Sequence, residues 1–452
     1  MKTVKDVPEN VNYLTNWKGF ELPNGILNKG ATACGATTLA IKDKNKTIIC
    51  SPRNELLKNK NEQHPETLLV IERYDIKTIS DYINNNELPK ILVSYDSFPK
   101  VAKCIEDKSE WRVVVDEFQY MLSDSGMKSP VEIKLMETLK EFPYVTFMSA
   151  TPIIGKYLDS ISYFKDMDYT ELKWNNLEKI KLIRIEAKRP IDAAVAVVRQ
   201  YQRGDFPFIM KDGNKFESKE CVIYLNSVQN ICDIIKQTDL KSEEANIIVG
   251  KSEENDKKLA KIGHFRGRIP LKGEPHKMFT FCTSTAFAGC DFYSTCASSW
   301  VISDSKRVNT AVDIATDLIQ IAGRQRLVEN PFRKTLTFVY NFNKGGMSED
   351  DFNAEMERRK RITEAEIRSN NSELDPELKQ KRIRDLLRIQ KAINYGDTFT
   401  MYDENSDKFI FNEMAYICEQ YLYDLQRHNY LNGVIIREQI DNRTFNADDE
   451  PE

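Results

Sequence analysis

The chain has 452 residues, 41% of them hydrophobic and 30% charged, with a formal net charge of −4. This length exceeds one typical core, so two or three domains are expected, and the composition excludes a wholly disordered chain. No apolar run reaches the roughly 18 residues of a membrane-spanning helix, and the polar segment Met1–Asn24 lacks the apolar core of a signal peptide.

Nine cysteines are scattered without a CxxC pair, Cys282, Cys290 and Cys296 coming nearest to a cluster. They fit small buried hydrophobes in a reducing compartment, and a cytoplasmic location is expected. The net charge neither marks nor excludes a polyanionic partner, because basic groups can be concentrated along one channel.

Short β-branched runs alternate with charged, helical stretches from the N-terminus. Thr47–Cys50, Thr67–Ile71, Ile91–Val93, Arg112–Val115 and Val145–Met148 are predicted buried strands. Strand and helix repeating in this way argue a parallel sheet covered on both faces, with a ligand crevice at the carboxyl ends of the strands. After a less regular stretch near residues 165–180, the pattern resumes in Leu182–Ile185, Cys221–Leu225, Asn246–Val249, Met278–Phe281, Trp300–Ile302 and Leu336–Tyr340. Beyond Gly345-Gly346, residues 349–395 are dense in Glu, Lys and Arg, which predicts helices, one starting at Asp375-Pro376-Glu377. The aromatic stretch to about Ile440 is expected to be helical, and the acidic end Asp448–Glu452 disordered. The expected fold is α/β, with two tandem parallel-sheet lobes (1–175 and 176–346) and a helical C-terminal extension (347–452).

Two features carry chemistry. Residues 30–37 read G-A-T-A-C-G-A-T after the apolar stretch Gly25-Ile26-Leu27. Gly30, Gly35 and Thr37 fit the phosphate-loop template G-x-x-x-x-G-K-[ST], but Ala36 stands where the lysine belongs. Alone, this stretch fits a glycine-bearing turn into a helix better than it fits the template. The second feature is the run Val113-Val114-Val115 leading into Asp116-Glu117-Phe118-Gln119. Two acids ending a buried strand are costly without water, a cation or a partner. They suit nucleotide hydrolysis, with Asp116 holding Mg²⁺ and Glu117 orienting and deprotonating the attacking water.

Asp116-Glu117-Phe118-Gln119 resembles the D-E-x-H/Q box of superfamily 2 helicases, and Ser149-Ala150-Thr151-Pro152 resembles their S-A-T motif. Gln320-Ile321-Ala322-Gly323-Arg324-Gln325-Arg326 is similar to the sixth motif, and Thr283 to Asp291 to the fifth. Ser51–Leu56 resembles the motif that touches the nucleic-acid backbone, and Asn226-Ser227 the start of the fourth. The resemblance implies two RecA-like lobes, an ATP site with Mg²⁺ in the cleft, and a nucleic-acid partner, DNA in preference to RNA.

It also implies roles. Gly30, Cys34, Gly35, Ala36, Thr37 and Thr38 would form the phosphate loop, with Thr37 and Asp116 at the metal. Glu117, Gln320, Arg324 and Arg326 would be catalytic, the arginines reaching in from the second lobe. Gln119, Ser149 and Thr151 would couple the lobes, and Gly289 and Asp291 would couple nucleotide to strand. Arg53, Ser94 and Thr283 would contact nucleic acid, and basic clusters around Arg358–Arg361 and Lys379–Arg384 could track phosphates or dock a partner protein.

Three departures stand out. The lysine is missing at Ala36, the second arginine of the sixth motif comes one position early at Arg326, and no glutamine motif reads adenine, although Trp17 or Phe20 could stack on a base. Losing a charge-assisted hydrogen bond of roughly 1.5–3 kcal/mol weakens binding about ten- to a hundredfold. Lys29 stands immediately before Gly30, and other basic residues can enter from the opposite lobe. Two functions follow as expectations: an ATP-dependent helicase or translocase, or a helicase-like binding module with a degenerate nucleotide site.

Overall fold

A computed structural model describes all residues except 72–73, 124, 152–154, 176–179, 212, 288–289, 307, 315, 342–346, 392–397, 405, 431–444 and 447–452. Pro152, Gly289, Gly345-Gly346 and the acidic end Asp448–Glu452 therefore lie outside the described residues.

The first sheet contains β1 (Lys2–Asp6), β2 (Gly25–Asn28), β3 (Lys46–Ser51), β4 (Leu68–Val70), β5 (Lys90–Ser94), β6 (Trp111–Asp116), β7 (Tyr144–Ser149) and β8 (Tyr169–Lys173). Its order is β1-β8-β2-β7-β6-β3-β5-β4, and every pair is parallel. The unbroken apolar runs of β3 and β6 reflect burial from both sides. Val113 and Val115 enter a core with Ile48 and Phe147, while Val114 points to the opposite core with Ile49, Leu92 and Met148. Each such side chain stabilises the lobe by about 1.5–3 kcal/mol relative to exposure.

The second sheet is built from β9 (Ile180–Glu186), β12 (Glu220–Tyr224), β13 (Ala245–Ile248), β14 (Phe279–Cys282), β15 (Ala297–Ser303) and β16 (Thr335–Tyr340). A hairpin, β10 (Phe208–Lys211) and β11 (Asn214–Glu217), projects before β12. The sheet order is β13-β14-β12-β15-β16-β9, with Phe445–Asn446 adding a parallel pair beside β9. The molecule thus has the expected α/β fold with two tandem lobes, each built on a parallel sheet.

Some expectations need correction. The stretch 165–180 contains β8, inserted between β1 and β2. Its buried Thr170 and Leu172 alternate with partly exposed or charged residues, so no continuous apolar run advertises it. Trp17 and Phe20 stack on each other at 4.6 Å between centroids, and the Phe20 ring is buried. Phe20 therefore presents no face to a base.

In the C-terminal part, helices Glu349–Asn371 and Pro376–Lys391 form as expected. Asp375 caps the second by accepting from the backbone N–H of Glu377 at 2.8 Å and of Leu378 at 3.1 Å. A hairpin, β17 (Thr400–Asp403) and β18 (Lys408–Phe411), interrupts the helices. The last helix, Glu413–Tyr430, packs against both lobes through its described residues. Met414, Ile417 and Cys418 belong to the first lobe's core, and the Tyr421 hydroxyl donates to Asp313 of the second lobe. Among the described residues no helix is long and apolar enough to cross a membrane.

Candidate active site in the interlobe cleft

The chain leaves β2 at Asn28, whose side chain accepts from the Gly30 N–H at 2.9 Å. The following loop ends at Gly35, which has φ +82 and starts the short helix Ala36–Ile41. That left-handed conformation costs glycine little and a side-chain-bearing residue more. The turn places Thr37 against the carboxyl end of β6, where its hydroxyl donates to Asp116 Oδ2 at 2.7 Å.

Asp116 and Glu117 are buried, 1% and 6% exposed, and both are paired. Lys29 Nζ donates to Asp116 Oδ1 at 3.0 Å and to Glu117 Oε1 at 3.1 Å. The other Glu117 oxygen, Oε2, accepts from Gln119 Nε2 at 2.7 Å and from Gln320 Nε2 at 2.9 Å. Glu117 adopts φ +53, a left-handed backbone costing on the order of 1–3 kcal/mol for a non-glycine residue. Such outliers persist where the surroundings over-determine them, and three donors from three segments do so here.

The second lobe closes directly onto this group. Gln320 sits on helix Asp317–Ala322 and also reaches Thr151 Oγ1 at 3.4 Å, while Thr151 N–H donates to Ser149 Oγ at 2.9 Å. Arg324 is 3% exposed, with Nε donating to the Gln320 carbonyl at 2.6 Å and Nη2 to its side-chain oxygen at 3.2 Å. Arg326 donates to Asp291 at 2.7 Å, and Arg324 lies 3.8 Å from the same carboxylate. Gly323 approaches the glycine-bearing loop so closely that a Cβ there would stand 2.4 Å from Thr32 Oγ1.

Burial alone would favour a neutral Lys29, but Asp116 and Glu117 outweigh it and hold the ammonium charged, above its ordinary range. Burial, then the neighbouring Arg326, pulls the Arg324 guanidinium down from its usual value. Burial also lowers Lys60 of helix Asn54–Gln63, opposed by Asp291, with Arg326 lowering it further and Asp116 opposing again. Burial raises the Cys34 thiol, keeping it neutral beside the loop.

Thr37, Asp116, Glu117, Gln119, Ser149, Thr151 and Gln320 are thus brought into one hydrogen-bonded group, with Arg324, Arg326 and Asp291 beside it. Ala36 is buried and Thr38 half-buried on the same short helix. The nucleic-acid candidates behave differently. The Arg53 guanidinium stacks 4.2 Å above the Tyr120 ring, and the Tyr120 hydroxyl donates to Asp317 across the cleft at 3.3 Å. Ser94 and Thr283 are buried, their hydroxyls donating to Ser97 at 3.0 Å and Thr285 at 3.3 Å. Residues that sequence reasoning passed over include Lys60 and Trp174, whose indole donates to the Lys29 carbonyl at 2.7 Å, while Tyr95, beside Ser94 in the expected strand-contacting region, donates its hydroxyl to the Asp116 carbonyl at 3.0 Å. These contacts span tens of residues, and no local pattern signals them.

The donor set fits a hard divalent cation. A hydroxyl and a carboxylate oxygen 2.7 Å apart at the mouth of a glycine-bearing loop are the oxygen chemistry that Mg²⁺ takes.

No protein-family model matches the chain, and no curated protein does. Solved structures give a likeness in arrangement. S. cerevisiae Dbp5, bound to RNA and ADP BeF3, is 14% identical, covers 73% of this chain and 81% of its own, and has a TM-score of 0.46. Mycobacterium smegmatis helicase Lhr, bound to ssDNA and AMP-PNP, is 11% identical over 70% of this chain and 43% of its own, at TM-score 0.41. RecG, bound to a three-way DNA junction, is 13% identical over 82% of this chain and 47% of its own, also at 0.41. The chain therefore aligns with less than half the length of the latter two.

Proposed function

We propose that the chain is an ATP-dependent nucleic-acid translocase or helicase, DNA being the first substrate to try, with ATP hydrolysed between the two lobes. The observation that carries this is the junction at Glu117, one carboxylate held by Lys29 of its own lobe and by Gln320 of the other. A catalytic base that bonds across a cleft ties chemistry to the relative position of the lobes.

Thr37 and Asp116 would hold Mg²⁺, which would supply neutralisation of phosphate charge. Glu117 accepts a proton from the attacking water as the water oxygen bonds to the terminal phosphorus and the bond to the ADP oxygen breaks. Gln320 and Gln119 fix the carboxylate that takes this proton. Arg324 and Arg326 stabilise negative charge on the transferred group from the second lobe, Arg324 being the better shielded from solvent. Ser149, Thr151 and Gln320 form the chain of contacts through which closure at the nucleotide reaches both lobes, with Asp291 beside it. Arg53 would meet the strand once Tyr120 releases the guanidinium.

Ala36 favours a second reading, a binding module that holds nucleotide or nucleic acid without turnover. ATP hydrolysis by the purified chain, with and without single-stranded DNA and RNA, separates the two. Stimulated hydrolysis that disappears in Arg324→Ala supports the motor. Nucleic-acid binding with no hydrolysis under any condition supports the module.

A further inference from the structure

Position 36 offers no cation, since Ala36 is 3% exposed at the first turn of its helix. Even so, the described residues place an ammonium inside the same cluster. The Lys29 side chain is 7% exposed, and its Nζ lies 3.0 Å from Asp116 and 3.1 Å from Glu117. Its main chain is pinned on both sides. The Lys29 N–H donates to the Ser149 carbonyl at 2.7 Å, and the Lys29 carbonyl accepts from the Trp174 indole at 2.7 Å.

The placement is specific. Lys29 Nζ and the Thr37 hydroxyl address opposite oxygens of the one Asp116 carboxylate. Thr37 directly follows position 36, so the ammonium stands across one carboxylate from the residue next to that position. A buried lysine needs anionic partners, and one carboxylate would neutralise it. Here there are two, and the surplus negative charge leaves room for a further cation. A lysine serving the core alone would have no reason to sit at the mouth of a loop, between the water-activating acid and the metal-binding acid.

We infer that Lys29 supplies the phosphate-facing positive charge that position 36 lacks, entering the site from the β2 end of the loop instead of from the first turn of the helix. The inference rests on the nucleotide-binding function proposed above. The competing role is that of a counter-ion, which keeps two buried acids folded and never meets a phosphate.

Equilibrium binding of a fluorescent ATP analogue with Mg²⁺ tests this without requiring turnover, alongside thermal melting of each chain. Four chains are compared: the natural one, Lys29→Met, Ala36→Lys, and the double variant. Loss of one charge-assisted contact should weaken binding in Lys29→Met by about ten- to a hundredfold. Ala36→Lys alone should gain little, because the charge is already supplied, and in the double variant it should recover most of the loss.

Natural affinity in a folded Lys29→Met chain, with only its melting temperature lowered, would make Lys29 a counter-ion and overturn the inference. So would a ten- to hundredfold gain from Ala36→Lys alone, since the loop would then simply have been missing its lysine. If Lys29→Met does not fold, the Ala36→Lys chain decides by itself, because it keeps Lys29. Absence of binding by the natural chain would remove the proposed function, and this inference with it.

Discussion

The two sides of the cleft bury charge in opposite senses. In the first lobe, one cation, Lys29, faces two carboxylates, Asp116 and Glu117, leaving the group one charge negative. In the second, two guanidinium groups, Arg324 and Arg326, share the single carboxylate of Asp291, leaving that group one charge positive. A bare ion pair would need no such imbalance. The difference teaches what each face lacks: the first a cation, which Mg²⁺ would supply, and the second an anion, which the terminal phosphate would supply. A Mg²⁺–nucleotide complex carries both, and it would draw the faces together.

Removing the positive surplus is the harshest way to break this comparison. Arg324→Ala should lower kcat by about 10³–10⁵-fold, the range for a charge aimed at a transferred phosphoryl group, in steady-state ATP hydrolysis. Nucleotide affinity should change far less. Equal losses in both would move Arg324 from the transition state to simple binding.

Altering the negative face comes next. Glu117→Gln keeps the shape but replaces one accepting oxygen with an amide donor, and it cannot take a proton. Hydrolysis should fall by about 10²–10⁴-fold while the chain retains bound nucleotide, as followed by filter retention of labelled ATP. Unchanged hydrolysis would take Glu117 out of the chemistry.

A third change separates the faces without touching a charge. Gly323 has no room for a Cβ because Thr32 Oγ1 would lie 2.4 Å away. In Gly323→Ala a rotation of Thr32 could relieve the contact. Gly323→Val has no such outlet and should hold the lobes apart, cutting hydrolysis severalfold to a hundredfold while leaving nucleotide binding to the first lobe. Small-angle scattering with nucleotide bound would show the larger radius.

The smallest expected effect is one of pH. Burial lowers the Lys60 pKa from its ordinary position near the Arg326–Asp291 pair. Raising the pH through that lowered value removes a positive charge near Asp291 and Arg326, so nucleotide affinity should decline in the alkaline range below the usual lysine pKa. Lys60→Met should bind more weakly at neutral pH and show a flatter profile.

Much of this was readable in the residues because burial from both faces leaves an unmistakable imprint. Val113-Val114-Val115 could hardly be anything other than a central strand, and acids at its end had to face a cation or solvent. β1 escaped because it holds one apolar residue, the exposed Val4, and β8 because its buried residues alternate with partly exposed or charged ones. The hairpins β10–β11 and β17–β18 are too short and too exposed to carry a pattern. At the site, the identity of the acids was legible, and their partners were not. The Lys29 contacts span 87 and 88 positions, and the Gln320–Glu117 contact spans 203. Such pairings depend on strand order and lobe closure. Ser94 and Thr283 illustrate the converse, since position in a motif suggested a strand contact while each hydroxyl is spent on a neighbouring one.

The most direct test of the central claim is phosphate release from Mg²⁺–ATP by the purified chain, titrated separately with single-stranded DNA and RNA. Two oppositely charged faces that close on a nucleotide predict release that rises to saturation with at least one of these strands. No release at any strand concentration, with nucleotide demonstrably bound, would contradict it.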